Sequence, residues 1–485
     1  MNRPSARVAG LIIPLGMSLL SSSASAGGFL VARFGGEHGH ATTTDPTALY
    51  YNPAGLALTH GTRLYVDGTF ALRRASYDRP AGAIDDPTAA GARASGTPPD
   101  GVAANAGRAT LSDVIASPFV GLASDLGTRH LAVGLSFATP FGGPSIWDRR
   151  EGDRGSPYPG AVDGPQRWSS IDGTIRSSYV SAGGAVRIPA LRLSLGLSAN
   201  LVLSKISSVR ARNGNGTDDL ISSSGAVQEG RSYLDADGVT MSAAAGAVWE
   251  PMEGLWLGVS YQSQPGFGEM VLTGTLEQKL ATAGLTRDAV DVRQSLPDVV
   301  RWSARYRPAP RLELRIGGDV ARWSSFVRQC VLLRSDPRRN CAIAPSGALD
   351  EAHGGSGVVL HLPRNWKDTL GLRGGASYWI GQSVEAFTGA GYDSNAVPDA
   401  TIDPALFDMD KLSVSGGVRV SLAADALFVD ATFTQVIYLQ RTVAPRPRDA
   451  AGKPETLASP SRQPDMAGTY SQSASVLVVG LGYVF

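Results

Sequence analysis

Hydrophobic and polar side chains alternate along long stretches of this chain. Leu191, Leu193, Leu195, Leu197, Ala199, Leu201 and Leu203 fall on one face of an extended segment, with Arg192, Ser194, Gly196, Ser198, Asn200 and Ser204 on the other. The pattern returns over 411–422, where Leu412, Val414, Val418, Val420 and Leu422 alternate with Lys411, Ser413, Ser415, Arg419 and Ser421. It returns again over 427–439, with Leu427, Val429, Ala431, Phe433, Ile437 and Leu439 against Asp430, Thr432 and Thr434. A period of two means β-strand, because successive side chains point to opposite faces. These runs exceed the ~5–6 residues usual in globular sheets and fit the ~9–11 that cross a bilayer at a tilt.

The connections alternate as well. Short turns are expected near 126–128, 189–190, 251–254, 308–310, 380–382 and 423–425. Long polar connections are expected near 78–111, 142–171, 208–238, 277–296, 325–365, 393–410 and 441–469. Short turns at one end and long loops at the other predict an all-β fold: a transmembrane antiparallel barrel of about fourteen strands. In the last strand Ser473, Ser475, Leu477, Val479, Leu481, Tyr483 and Phe485 share a face, with the two aromatic rings suited to a membrane interface. A final phenylalanine also resembles the signal read by the barrel-assembly machinery.

The N-terminal residues set the compartment. Arg3 and Arg7 precede an apolar run over 8–20, a serine-rich stretch and Ala24-Ser25-Ala26. That order predicts a signal peptide over 1–26, since the run falls short of the ~20 residues of a spanning helix. The mature chain is then expected to begin at Gly27. It carries 42 basic and 43 acidic residues, a net of −1 that argues against nucleic acid as a partner. The bacterial outer membrane is the expected location, with its lipid and lipopolysaccharide as surroundings and a monomer as the expected state. Two cysteines are too few for a disulfide framework. Cys330 and Cys341 are close enough in sequence to close one small loop, stabilising it by roughly 3 kcal/mol.

Residues 27–60 do not alternate, and Pro46 and Pro53 disfavour one continuous helix there. Such a segment ahead of a barrel over 61–485 either hangs in the periplasm or folds into the lumen as a plug. The polar strand faces favour the plug: Arg301, Arg305, Glu313, Arg315, Asp319, Arg373, Glu385, Arg419 and Asp430 form a ladder of both signs that can pair across the interior.

Catalytic and metal chemistry find little footing. His38 and His40 read as polar residues of a glycine turn, because no third ligand is near. Asp235, Asp237 and Gly238 echo a calcium loop without its later bidentate Glu. Gly480 and Gly482 precede no helix, which argues against a nucleotide fingerprint. Six histidines fall in no recognisable nucleophile arrangement. No catalytic group, metal or cofactor is expected. Trp147, Trp168, Trp323 and Trp366 fall near strand ends, which predicts an aromatic girdle; Trp147 and Trp168 are alternatively candidates for an outer ligand groove.

Several segments carry a resemblance. Tyr51-Asn52-Pro53-Ala54-Gly55-Leu56 resembles the hatch motif of the long-chain fatty acid outer-membrane transporters, a group that includes toluene and xylene uptake channels. Leu296-Pro297-Asp298 with Tyr306-Arg307-Pro308, Arg322-Trp323-Ser324-Ser325-Phe326 and Asn365-Trp366-Lys367-Asp368-Thr369 resemble further family stretches. So do Tyr392-Asp393-Ser394 with Val397-Pro398-Asp399-Ala400, and Gly468-Thr469-Tyr470-Ser471. These landmarks stand in family order from Gly27 to Phe485.

The resemblance implies a fourteen-stranded barrel plugged by a hatch. It implies ligand capture in an outer groove and transfer to an apolar pocket formed with Phe29, Asn52, Pro53 and Ala54. It also implies sideways release at a kink of the third strand, here near 129–141. Between Phe29 and Asp45 the chain departs from the family's small-residue run and carries Glu37, His38 and His40 instead. The expectation is passive uptake of a hydrophobic small molecule, a long-chain fatty acid or aromatic hydrocarbon. A general porin for polar solutes, or a structural or adhesive surface barrel, are the competing classes.

Overall fold

The computed structural model describes residues 33–85, 104–150, 159–220, 226–280, 283–422, 426–450 and 452–485. The expected signal peptide, Phe29 and the turn at 423–425 lie outside the described residues. The chain builds β1 (Thr62–Arg79), β2 (Gly107–Ser124), β3 (Leu131–Pro144), β4 (Asp172–Ile188), β5 (Leu193–Arg212) and β6 (Gly230–Met252). There follow β7 (Leu255–Gln262), β8 (Glu269–Lys279), β9 (Thr286–Ser295), β10 (Val299–Ala309), β11 (Leu312–Ala321), β12 (Arg328–Leu333) and β13 (Val358–Pro363). The last are β14 (Thr369–Ile380), β15 (Val384–Asp393), β16 (Lys411–Leu422), β17 (Leu427–Tyr438), the short β18 (Arg441–Val443) and β19 (Gly468–Val484).

These segments form one antiparallel sheet that closes where β1 pairs with β19 on one side and β2 on the other. Four staves are each broken once by an inward-turning segment: β7 with β8, β9 with β10, β11 with β12, and β13 with β14. The short β18 continues the β17 stave along β19, so fourteen staves make the barrel. Closure pairs the first and last strands, as a sheet in lipid requires, and one stretch of β2 is left without a β3 partner among the described residues.

Period-two patterning sorts the two surfaces. On β5, Leu195, Leu197, Leu201 and Leu203 are exposed on the outside, while Ser194, Ser198, Asn200 and Ser204 are buried inside. Around the barrel, Val259, Ile316, Val414, Phe433 and Leu477 continue the outward apolar belt.

Above the belt the phase of the chemistry inverts, and here the boundaries differ from expectation. The connections anticipated over 208–238 and 277–296 are shorter than expected, since β5 runs to Arg212, β6 begins at Gly230, β8 reaches Lys279 and β9 covers Thr286–Ser295. Apart from Val271 and Ala289 the exposed positions of β8 and β9 are polar (Glu269, Thr273, Lys279), as suits strands that stand in water, while Met270, Leu272, Leu276, Val290 and Val292 are buried within. A second difference concerns the tryptophans. Trp147, Trp168, Trp323 and Trp366 are at most 4% exposed and form no lipid-facing girdle. They belong to the interior apolar cluster, since the segments carrying them turn inward above the belt.

The four stave breaks lie on adjacent staves, and three coincide with the resemblance landmarks: Leu296-Pro297-Asp298, 322–327 and 364–368. Polar groups stitch them together. Arg322 Nε donates to Asp298 Oδ1 at 2.7 Å, and the Ser324 amide donates to Asp368 Oδ1 at 2.8 Å. The aromatic rings turn inward and pack, Trp323 and Phe326 each close to Trp366 with centroids 4.9 Å apart. Cys330 and Cys341 form a disulfide that ties the β12–β13 connection to its strand.

Candidate functional site

Residues 33–60 fill the lower lumen, at the end of the short turns. Asn52 is extended and caps a short 3-10 turn, Pro53–Leu58, by accepting the Ala54 amide on its side chain. Proline suits the first position of such a turn because its missing N–H is not needed there. Asn52 Nδ2 donates to Ala41 O at 2.7 Å and to Ala247 O of β6 at 3.0 Å, binding the hatch to itself and to the wall. Further ties reach other staves. The Gly35 amide donates to Asp67 at 2.7 Å, Ser260 Oγ to Tyr51 O at 2.6 Å, and Ser415 Oγ to Glu37.

Barrel glycines make the room. A Cβ on Gly196 would lie 2.3 Å from Ala54 N, and one on Gly258 would lie 2.2 Å from Ala41 O. Asn52, Pro53 and Ala54 therefore anchor the plug, and none of the three lines the large cavity described below.

The expected lumen charges surround the plug in pairs. Arg373 bonds both Asp319 and Asp393, Arg419 meets Asp430 at 3.0 Å, and Glu385 meets His38 at 2.9 Å. Glu313 is shared by Arg305 at 3.9 Å and Arg315 at 3.5 Å. Arg301 stacks over the hatch Tyr50 ring at 4.6 Å and donates to Gln262 at 3.0 Å. His40 accepts the Thr42 amide on Nδ1 at 3.2 Å. Charged residues that would line water in an open pore are here used to hold the plug in place.

Above the hatch lies an apolar cavity of about 970 Å³, its mouth included. Its walls are Ile175, Ile206, Leu234, Leu276, Val292, Val331, Leu360, Leu362 and Leu406, contributed by the inverted upper staves and the 393–410 connection. Four ionisable groups stand among them: Arg73, Arg210, Arg364 and Asp403. Arg364 is satisfied, with Gln329 at 2.7 Å and 3.0 Å and Asp403 at 2.6 Å. Arg210 is not. It is 7% exposed, its one side-chain hydrogen bond is a long 3.4 Å contact to Gln463, and Nη2 has no partner among the described residues. A second cavity shares Ser169, Arg210, Leu362, Arg364 and Asp403 with the first and continues past Arg446 and Leu457. Leu457 is exposed, so the second cavity forms a vestibule to the outside with Arg210 at the junction.

At the opposite end of the cavity the wall opens. β2 stays paired with β1 all the way to Arg79↔Gly107. Its ladder with β3 runs only from Ser124↔Val133 to Phe119↔Ala138. Pro140 lies in the register shift between Ala138 and Phe141, where β3 bends away from β2. Beyond Ser117, whose hydroxyl donates to Thr139 O at 2.7 Å, the next backbone-to-backbone tie among the described residues is Asp148 N to Thr110 O at 2.8 Å. Within this stretch Arg73 donates to Asp113 Oδ2 at 3.1 Å and to Pro144 O at 2.8 Å.

Trp147 and Trp168 are absent from the lining of both cavities. Trp147 packs near Phe407, with ring centroids 6.4 Å apart. Trp168 donates to Asn105 at 3.0 Å beneath the Arg167 guanidinium, which lies 4.6 Å from its ring. The site residues that pattern reading missed are Arg73, Arg210, Arg364 and Asp403. Only one signal marked Arg210: a cation on the face of β5 that is apolar at Val202 and Ile206.

A family profile described as outer membrane protein transport protein (OMPP1/FadL/TodX) matches residues 17–485. Among solved structures, a Pseudomonas aeruginosa FadL homologue is similar, with a TM-score of 0.68 and 17% identity, over 96% of this chain and 99% of that one. The Ralstonia pickettii toluene transporter TbuX aligns with a TM-score of 0.58 and 14% identity, over 96% and 97%. The Pseudomonas putida toluene transporter TodX aligns with a TM-score of 0.60 and 12% identity, over 95% and 98%. Among curated protein sequences none matches.

Proposed function

This chain belongs to the outer membrane protein transport family (OMPP1/FadL/TodX), and from that premise we propose that it is a passive channel for hydrophobic carboxylic acids such as long-chain fatty acids. It is an outer-membrane transporter and not an enzyme. The observation that carries the choice of ligand is Arg210, a buried cation without an acidic partner among the described residues, set where an outer vestibule meets an apolar cavity. A buried unpaired guanidinium is costly, and an arriving carboxylate removes that cost through charge-assisted hydrogen bonds. Each methylene of the tail that leaves water for the cavity contributes about 0.8 kcal/mol. An uncharged aromatic hydrocarbon gains the apolar contact and leaves Arg210 unpaired.

The ligand route runs from the vestibule, past Arg210, into the cavity and out sideways where β2 and β3 part. No energy source is needed, because the polar outer leaflet slows an apolar solute and the lined path lets it move down its gradient without crossing bulk water. The hatch and its paired charges support this reading over an open porin, and the internal cavity supports it over an adhesive barrel.

Displacement of a fluorescent fatty acid from the purified protein tests the assignment. Arg210→Gln is expected to weaken oleate binding by about tenfold or more while leaving toluene binding within about twofold. Equal loss for both ligands, or no loss for oleate, would contradict it.

A further inference from the structure

The two ends of the cavity each carry an arginine, and they are not equivalent. Arg210 at the vestibule makes no ion pair among the described residues, since Asp403 of the same lining is held by Arg364. Arg73 at the opening between β2 and β3 already has one. Arg73 projects from β1 and reaches both rims of the opening, Asp113 on β2 at 3.1 Å and the Pro144 carbonyl at the end of β3 at 2.8 Å. Asp113 also accepts the backbone N–H of Ile146, on the chain that continues from β3. Two side chains thus bridge a stretch over which 111–116 of β2 make no backbone hydrogen bond to β3. Both are buried, and Arg73 also lines the apolar cavity.

We propose that Arg73, held by its cross-strand ion pair with Asp113 of β2 and bonded to the Pro144 carbonyl of β3, is a latch across the β2–β3 opening, released by the carboxylate of the ligand itself. The inference rests on the reading that the cavity carries hydrophobic acids. A carboxylate that reaches Arg73 from within the cavity competes with Asp113 for the same guanidinium, whose planar fork takes one carboxylate in two-point contact. Asp113 then stands buried beside a second anion without its cation. That arrangement is strongly unfavourable while the rim stays closed and is relieved when the rim parts and Asp113 is hydrated. No covalent step is involved, and the pair re-forms when the ligand has left. An uncharged molecule of the same length fills the cavity and leaves the latch shut. The opening then selects for charge as well as for shape, so Arg73 and Asp113 act as positioning residues that determine specificity.

The test compares labelled oleate with labelled methyl oleate. The full chain is expressed in cells lacking any other such channel, and arrival of each ligand in the inner-membrane fraction is timed, with binding to the purified protein measured alongside. The wild type is expected to deliver the acid about tenfold faster than the ester at equal occupancy. Asp113→Asn keeps the side-chain shape and removes the charge, and should collapse that ratio towards one by speeding the ester. Asp113→Glu, which keeps a carboxylate within reach of Arg73, should retain the ratio. A wild type that delivers both at the same rate overturns the latch, as does an Asp113→Asn protein that is folded and keeps the wild-type ratio. Should Asp113→Asn fail to assemble, the wild-type ratio alone decides. If neither ligand binds the purified wild-type protein, the transport reading fails, and the latch with it. Binding without discrimination sinks the latch only.

Discussion

Single atoms decide how the plug sits. Gly196 on β5 and Gly258 on β7 are seats for hatch backbone, with no space for even one methyl group. Gly196→Ala should push Pro53 and Ala54 off the wall, an overpacking of about 1–3 kcal/mol that the hatch relieves by shifting. In planar bilayers this variant is expected to show more steady ion current than the wild type. Gly284→Ala, where a Cβ meets open space, should behave as wild type. Equal currents for Gly196→Ala and wild type would mean that the hatch does not seal the lumen. The anchoring Asn52-Pro53 pair was readable in the sequence as a turn, because both residue types cap and start short helices. The glycines opposite it were not readable as seats. A glycine in an alternating strand looks the same whether it faces lipid, water or a plug.

At the scale of elements, legibility followed the solvent on each face. Where a stave faces lipid outside and polar hatch inside, as β5 does from Leu193 to Ser204, alternation identifies the strand and its orientation. Where β8 and β9 rise above the bilayer, water lies outside and the ligand cavity inside. Polar outward residues such as Lys279 and Arg287 then made strand look like loop. The cavity was hidden for the same reason, since Leu276 and Val292 have the pattern of an ordinary core.

The outer connections form an element of their own. Arg79 at the top of β1 donates to Asp218 at 2.7 Å, and Asp218 and Asp85 each accept the other's amide, at 3.1 Å and 3.3 Å. Burial first, and then the Asp218 carboxylate, push Asp85 up to about 7 from an ordinary 3.8. The folded cap therefore holds the Asp85 proton more tightly than the unfolded chain does. The stability this contributes is full below about pH 4 and declines as pH rises through 7. Limited proteolysis should cut the cap faster at about pH 8 than at about pH 5.5, and Asp85→Asn should flatten that difference. A cap equally resistant at both values would refute the assignment.

The whole molecule sets two compartments one above the other inside one barrel. The lower is polar, charge-paired and filled by the hatch. The upper is apolar, adjoins a second cavity at Arg210, and is lined by Arg73 and Pro144 beside the stretch where β2 and β3 separate. On the proposed route an oily solute leaves sideways rather than straight through the hatch. The resemblance landmarks lie at the breaks, since the segments around Pro297, Trp323 and Trp366 are where three of the four adjacent staves break. The most direct test is delivery of labelled oleate across the outer membrane by cells with and without the protein, its folded state verified by heat-dependent gel mobility. Cells that carry it should take up oleate several times faster, and Arg210→Gln should remove most of that gain. Identical uptake with the folded protein present and absent would contradict the account.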